Sequence, residues 1–186
     1  MNNRIKVTTE NVTDYFYLEK LTPERSFGSF LCPITEYNDY LIKDAIRSLK
    51  DHIAKTWLLC EQKTGKIAAY ASLIMDAIKL SFNEKGLHSL DYPFKTIPAM
   101  KIAKLAVDGC FSEKYKGICS FMINAAMGKA IDCNEDYCAA RFLTVDAYIE
   151  HDKGVLVFYE KNGFIPNAEH YNKNRKTISM RKDIYS

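Results

Sequence analysis

Apolar and polar residues follow helical and strand-like rhythms along the 186-residue chain, and each rhythm predicts an element. Over 36 to 53 the apolar positions Tyr37, Tyr40, Leu41, Ala45, Leu49 and Ile53 recur at helical spacing, with Lys43, Asp44, Arg47, Lys50 and Asp51 mostly elsewhere on the wheel. This predicts an amphipathic helix or two short ones, with Thr35 as N-cap and Glu36 in the first turn. Ile118, Phe121, Met122, Ala125 and Ala126 predict a helix over 117 to 131. Val155, Phe158 and Tyr159 predict another over 153 to 161, stopped at Asn162-Gly163. Strand-like runs fall at 13–21, 56–61, 66–80, 102–107, 140–146, 164–165 and 176–182, and Lys63-Thr-Gly-Lys66 makes a hairpin of the second and third.

Two of these strands alternate unevenly. The 66–80 run predicts a bulge or break near Met75 and Asp76. In 102–107, Ile102 and Leu105 are three apart whereas Leu105 and Val107 are two apart. A bulge there would splay the strand from its neighbour and turn backbone groups toward a ligand. Residues 81–98 form a polar, Gly- and Pro-bearing connection, of a length that in a compact domain usually binds something or covers a site. The element order β, α, β, β, β, α, β, α, β, β implies a mixed sheet, antiparallel early and parallel around the two late helices.

Composition narrows the class without changing this picture. A chain of this length is expected to form one domain over 1–186. Its 47% hydrophobic and 26% charged residues exclude a disordered chain. There is no apolar run approaching the ~20 residues of a membrane span and no apolar leader, so a cytoplasmic protein without membrane partners is expected. Cys32, Cys60, Cys110, Cys119, Cys133 and Cys138 form no C-x-x-C pair and no zinc-finger spacing with His, which predicts free thiols and no metal. The net charge of +3 gives no bulk case for nucleic acid. Lys173, Arg175, Lys176, Arg181 and Lys182 crowd the carboxy-terminal end, and such a run reads as a solvated face.

The chemistry concentrates between Met100 and Ala130. A buried strand ending Leu105-Ala-Val-Asp108 leads through Gly-Cys-Phe-Ser-Glu113 to the turn Lys114-Tyr-Lys-Gly117-Ile-Cys119 and then the helix. A helix start leaves amide donors without partners, and two lysines beside a glycine add positive charge there, so the turn is an anion site in outline.

Leu105-Ala-Val-Asp108 followed by Lys114-Tyr-Lys-Gly117-Ile-Cys119 resembles the signature of the GNAT acetyltransferase superfamily, Gln/Arg-x-x-Gly-x-Gly/Ala after a Leu-Ala-Val-Asp strand. Lys114 replaces Gln or Arg, and Cys119 replaces the final Gly or Ala. Phe158-Tyr159-Glu-Lys-Asn-Gly163-Phe164 is similar to the family's Phe-Tyr-x-x-x-Gly-Phe helix end, about forty residues on. Phe30-Leu-Cys32 and Tyr37-Asn-Asp-Tyr-Leu41 resemble a subgroup that includes acetyltransferase toxins of toxin–antitoxin pairs.

The resemblance implies an α/β fold: a twisted mixed sheet of about six to seven strands with helices on both faces and a bulged central strand. It implies an N-acetyltransferase that moves the acetyl group of acetyl-CoA to an amine by direct attack in a ternary complex. Backbone groups of Leu105, Ala106 and Val107 would pair with pantetheine, and an amide near Val107 would donate to the thioester oxygen. Lys114, Tyr115, Lys116, Gly117, Ile118, Cys119 and Ser120 would cradle the pyrophosphate. Tyr159 would be the acid protonating the departing thiolate; by itself it also fits the apolar stripe of its helix.

Asp76, Asp91 and Asp146 are unranked candidates for a base, and a water chain would serve as well. His52, His88, His151 and His170 are isolated, Cys119 has no paired His, and Asp152 reads as a helix N-cap. The acceptor is a small-molecule amine or a macromolecular amine such as aminoacyl-tRNA, and a homodimer is the default assembly. A non-catalytic acyl-CoA sensing module is the alternative from a different class.

Overall fold

The computed structural model describes residues 4–150, 152, 154–167 and 176–186. Seven strands form one sheet in the order β2 (Phe16–Lys20), β3 (Lys55–Glu61), β4 (Ile67–Lys79), β5 (Thr96–Val107), β7 (Phe142–Tyr148), β9 (Thr177–Asp183) and β8 (Ile165–Pro166). A separate parallel pair joins β1 (Ile5–Lys6) to β6 (Tyr115–Lys116). β2, β3 and β4 are antiparallel and β5 is parallel to β7, as the element order predicts. The second late crossover differs, because β9 lies between β7 and β8 and is antiparallel to both.

The chain divides into two compact units, one of residues up to Ile74 with Ala103–Ala125, the other of Met75–Ile102 with Ala126–Ser186. In the first, side chains alternate across the strands to make two apolar layers. Phe16, Leu59, Ala69 and Ala71 pack with Val12 of α1 (Val12–Tyr15), Phe111 of α5 (Gly109–Lys114) and Tyr115. Ile118 and Met122 of α6 (Ile118–Asp136) complete this layer. Leu58, Cys60 and Tyr70 face the other way, toward Phe30, Cys32, Leu41, Ala45 and Ala106.

Leu41 and Ala45 sit on the helical run predicted over 36–53, which is α2 (Thr35–Asp39), a π-helical turn (Tyr40–Asp44) and α3 (Ala45–Lys50). The extra residue of a π turn shifts the helical phase. Tyr40 at its start reaches the buried Ser72 hydroxyl at 2.6 Å. Thr35 is the first helical residue and not the cap. The entry is fixed instead by Asn38, which exchanges two hydrogen bonds with the Cys32 backbone at 2.8 and 2.9 Å.

Two further expectations need correction. β4 runs unbroken through Met75 and Asp76. Its uneven pattern arises because Ile67–Leu73 are buried on both faces whereas Ile74–Lys79 alternate. The register shift of the β3–β4 pair falls where Leu59 and Cys60 face Ala69 and Ile67, so the extra residue is Ala68 of β4, well before Met75. The 81–98 connection is not all loop: Ser81 and Glu84 form a capping box at the start of α4 (Phe82–Leu87). Along β5 the buried positions change phase, Ile97 and Ala99 giving way to Met100, Ile102 and Ala106. The first predicted strand is shortened by α1, and β1, α1, α4, α5 and β6 are short additions to the predicted order.

In the second unit Ile78, Leu80, Ile97, Ala99 and Phe142 make an apolar cluster. α7 (Gly154–Lys161) begins after Asp152, whose carboxylate accepts from the Gly154 amide at 2.7 Å, which is the capping role expected of it. Gly163, at φ +84, ends the helix where only glycine is unstrained. Lys153, His151, His170, Lys173 and Arg175 lie outside the described residues.

Candidate active site

β5 pairs with β7 only from Ala99 to Ile102, although β5 continues to Val107. Ala103–Val107 therefore lie beyond that ladder, with Ala106 buried and Leu105 and Val107 half-buried against the core. The turn after the strand is pinned by Asp108. One carboxylate oxygen caps α5 by accepting from the Cys110 amide at 3.0 Å, and the other accepts from the Leu31 amide at 2.8 Å. Asp108 is thereby a structural residue.

The predicted cradle divides into parts with different jobs. Tyr115 is buried and its ring lies 4.9 Å from Phe16 and 5.5 Å from Tyr15, so it anchors the turn in the core. The Lys116 carbonyl accepts from the Val7 amide at 2.8 Å. Gly117 has φ +96, and a Cβ there would collide with the Val7 carbonyl, which gives the glycine a steric reason of its own. Because the Phe121 amide donates to the Gly117 carbonyl, Gly117 is the N-cap of α6. The amides of Ile118, Cys119 and Ser120 are then the first-turn donors that lack a helical acceptor.

Of the side chains, Lys114 is exposed, 3.8 Å from Glu61 and over the Tyr115 ring; a side-chain hydrogen bond to Tyr115 first, and the Glu61 carboxylate after it, raise its pKa. Burial pushes the Cys119 thiol up to about 11, so it stays protonated at neutral pH and is no nucleophile. Beside the turn, a cavity of about 410 Å³ is lined by Arg25, Phe27, Glu61, Lys66, Asp108 and Lys114 among others. Lys104, also in this unit, places its ammonium 4.8 Å from the centre of the Tyr37 ring.

In the second unit Tyr159 is buried on α7, edge-on to Phe158 and Phe164 at 5.1 and 5.3 Å. Phe164 donates its amide to the Tyr159 carbonyl at 3.0 Å, so the helix stop that the motif predicts also fixes the tyrosine. The base candidates separate here. Asp146 is held by Lys101 at 2.5 Å. Asp76 accepts from the Thr144 hydroxyl at 2.7 Å and from the Ala77 amide at 2.8 Å. Asp91 is exposed.

His88 is neither isolated nor a free base. Arg181 Nε donates to its Nε2 at 3.2 Å, which assigns the ring proton to Nδ1, 3.0 Å from Asp183. Arg181 itself is 1% exposed, bonded to Glu84 at 2.7 Å and to Asn167 at 2.8 Å. Arg141 brings a guanidinium to the same Asp183 carboxylate at 2.7 Å. The expectation of a solvated basic tail fails at Arg181, because Glu84 of α4 supplies the charge that lets a guanidinium be buried. The Ser81-x-x-Glu84 capping box was the local signal that a helix, with an ordered carboxylate, stood there.

No protein-family model matches the chain, and no curated protein matches it in sequence. Solved structures do resemble it. AtaT complexed with acetyl-methionyl-tRNAfMet has a TM-score of 0.75 at 21% identity, over 91% of this chain and 95% of that one. A tyrosine-to-phenylalanine mutant of AtaT, bound to the C-terminus of the antitoxin AtaR and acetyl-CoA, gives 0.68 at 19% identity over 91% and 94%. A tyrosine-to-phenylalanine mutant of KacT gives 0.72 at 16% identity over 90% and 95%. At such identities the likeness establishes the fold, and the chain has the mixed α/β GNAT fold.

Proposed function

We propose that the protein is an acetyl-CoA dependent N-acetyltransferase, working as one catalytic domain over the whole chain. The observation that carries this is the β5 end that continues past its ladder with β7 at Ile102 and is followed, through Gly117, by first-turn amides of α6 that have no acceptor within the helix. An extended donor–acceptor edge suits an amide-bearing pantetheine arm, and a helix N-terminus suits a pyrophosphate. In this reading Leu105, Ala106 and Val107 hold the arm. Ile118, Cys119 and Ser120 bind phosphate through their amides, and Lys114 and Lys116 contribute charge from the exposed side. Gly117 and Tyr115 shape the turn.

The Val107 amide stabilises negative charge on the thioester oxygen as the acceptor amine attacks. Tyr159 gives its hydroxyl proton to the departing thiolate, a suitable exchange because a phenol's ordinary pKa is ~10. Asp76 and Asp146 are each tied to a partner, so proton removal from the amine is assigned to water.

For the acceptor, the likeness to AtaT, solved with acetyl-methionyl-tRNAfMet, favours the α-amine of an aminoacyl-tRNA over a free small amine. Thiol release from acetyl-CoA, measured against small amines and aminoacyl-tRNA, tests both. Tyr159→Phe is expected to lower turnover about 10²–10⁴-fold with acetyl-CoA affinity unchanged. A small loss of turnover with unchanged affinity removes Tyr159 as the acid. Binding of acetyl-CoA without thiol release by any acceptor favours the sensing module.

A further inference from the structure

The carboxy-terminal end of α6 carries a pair of thiols that the acetyl-transfer reading does not use. Cys133 is on the last turn of the helix and half-buried; Cys138, just beyond it, is exposed. Their sulfurs are 3.3 Å apart. The Cys138 amide also donates to the Cys133 carbonyl at 2.9 Å, so the two backbones already approach closely. The loop is clamped there by Asn134, whose side-chain amide spans the Ala140 backbone and donates to the Tyr185 hydroxyl at 2.6 Å. Closing a bond requires side-chain rotation that brings the sulfurs to ~2.05 Å, without long-range chain movement.

We propose that Cys133 and Cys138 form a reversible intrachain disulfide by exchange with a small, electrically neutral disulfide. Cys138 is the attacking thiol, since it is exposed, while burial and the Cys138 sulfur push the Cys133 thiol up. The Cys138 thiolate attacks one sulfur of the oxidant, forming a mixed disulfide and expelling one thiolate. The Cys133 thiolate then attacks the Cys138 sulfur and expels the second. The two protein thiols lose two electrons, the oxidant gains them, and the two thiol protons end on the two released thiolates.

Neutrality of the oxidant follows from the surroundings. Asp132, Glu135 and Asp136 are exposed at this end of the helix, and among the described residues only Asp132 has an ion-pair partner, Lys129 at 2.8 Å. The helix C-terminus adds negative potential. An anionic disulfide such as oxidised glutathione is repelled, and a neutral one is not.

The test treats the full chain with 2-hydroxyethyl disulfide and follows intact mass and the non-reduced peptide map. The expected product is a Cys133–Cys138 cross-linked peptide lighter by two hydrogens. Cys133→Ser is expected to retain the hydroxyethylthio adduct on Cys138, making that adduct at least about tenfold longer-lived than in the natural chain. An adduct equally long-lived in both proteins, or no reaction at Cys138 in either, overturns the proposal. Oxidised glutathione reacting as fast as the neutral probe removes the charge selection. Cys110, exposed elsewhere, serves as an internal control for adducts that have no resolving partner.

Discussion

The turn at 105–120 and the buried charge cluster around Arg181 are built on opposite plans. The turn makes its donors from backbone, within one short stretch, and its side chains either anchor it (Tyr115, Ile118) or stay in solvent (Lys116). The cluster is built chiefly from side chains drawn from α4 and its C-cap, the residue before β7, the segment after β8, and β9. Its central pair, Arg181 and Glu84, is 97 positions apart. The difference predicts how each responds to substitution: the cluster is sensitive to any lost charge, whereas the turn is sensitive to shape and tolerant of charge.

Breaking the cluster is the largest expected effect. Arg181→Ala leaves Glu84 buried without its cation and should cost about 3–5 kcal/mol in a urea or thermal unfolding experiment. A loss below about 1 kcal/mol, the scale of surface pairs, would show that the cluster is solvated in solution. Next is Gly117→Ala, which puts a side chain at positive φ and against the Val7 carbonyl. About 1–3 kcal/mol of destabilisation is expected, together with loss of acetyl-CoA affinity in calorimetry. Gly86, exposed on α4 with open space around it, is the matched control, and its Ala variant should be neutral or stabilising.

Acid sharpens the comparison further. Burial alone would raise the pKa of Asp183, but the Tyr185 amide, Arg141 and His88 outweigh it and hold the carboxylate below its ordinary range. A group depressed on folding stabilises above its unfolded pKa of ~3.9, and that contribution is lost as pH falls through the folded value. Thermal midpoints should therefore drop on acidification below ~4 in the natural chain, and Asp183→Asn should flatten that limb while lowering stability at neutral pH. The smallest effect belongs to Lys114→Ala. With the ammonium exposed and shared with Glu61, acetyl-CoA affinity should fall only about two- to threefold, and less in high salt.

The same contrast explains what could be read from the chain. Ile118, Phe121, Met122 and Ala126 announced α6, and Lys63-Thr-Gly-Lys66 announced a hairpin, because each signal is local. Leu105-Ala-Val-Asp108 and Phe158-Tyr159 pointed to a strand end and a helix that are present. What sequence did not disclose depends on partners far along the chain. Nothing near Tyr115 indicates that Ile5 and Lys6 pair with this turn and occupy part of its backbone. Nothing near Arg181 separates it from the other basic residues of this end of the chain until Glu84 and His88 are placed beside it. The uneven rhythm of 66–80 reflects two-sided burial over Ile67–Leu73, and the extra residue of the strand is Ala68, away from the predicted Met75 and Asp76.

In the proposed acetyltransferase, acetyl-CoA lies along Leu105–Val107 with its pyrophosphate on the Ile118–Ser120 amides. Amide hydrogen exchange with and without saturating acetyl-CoA tests it most directly. Slowed exchange concentrated in Leu105–Val107 and Ile118–Ser120 is the predicted result. Unchanged exchange at both segments while the protein is demonstrably bound, or protection confined to the cavity-lining stretches Arg25–Phe30 and Thr64–Ile67, would contradict it.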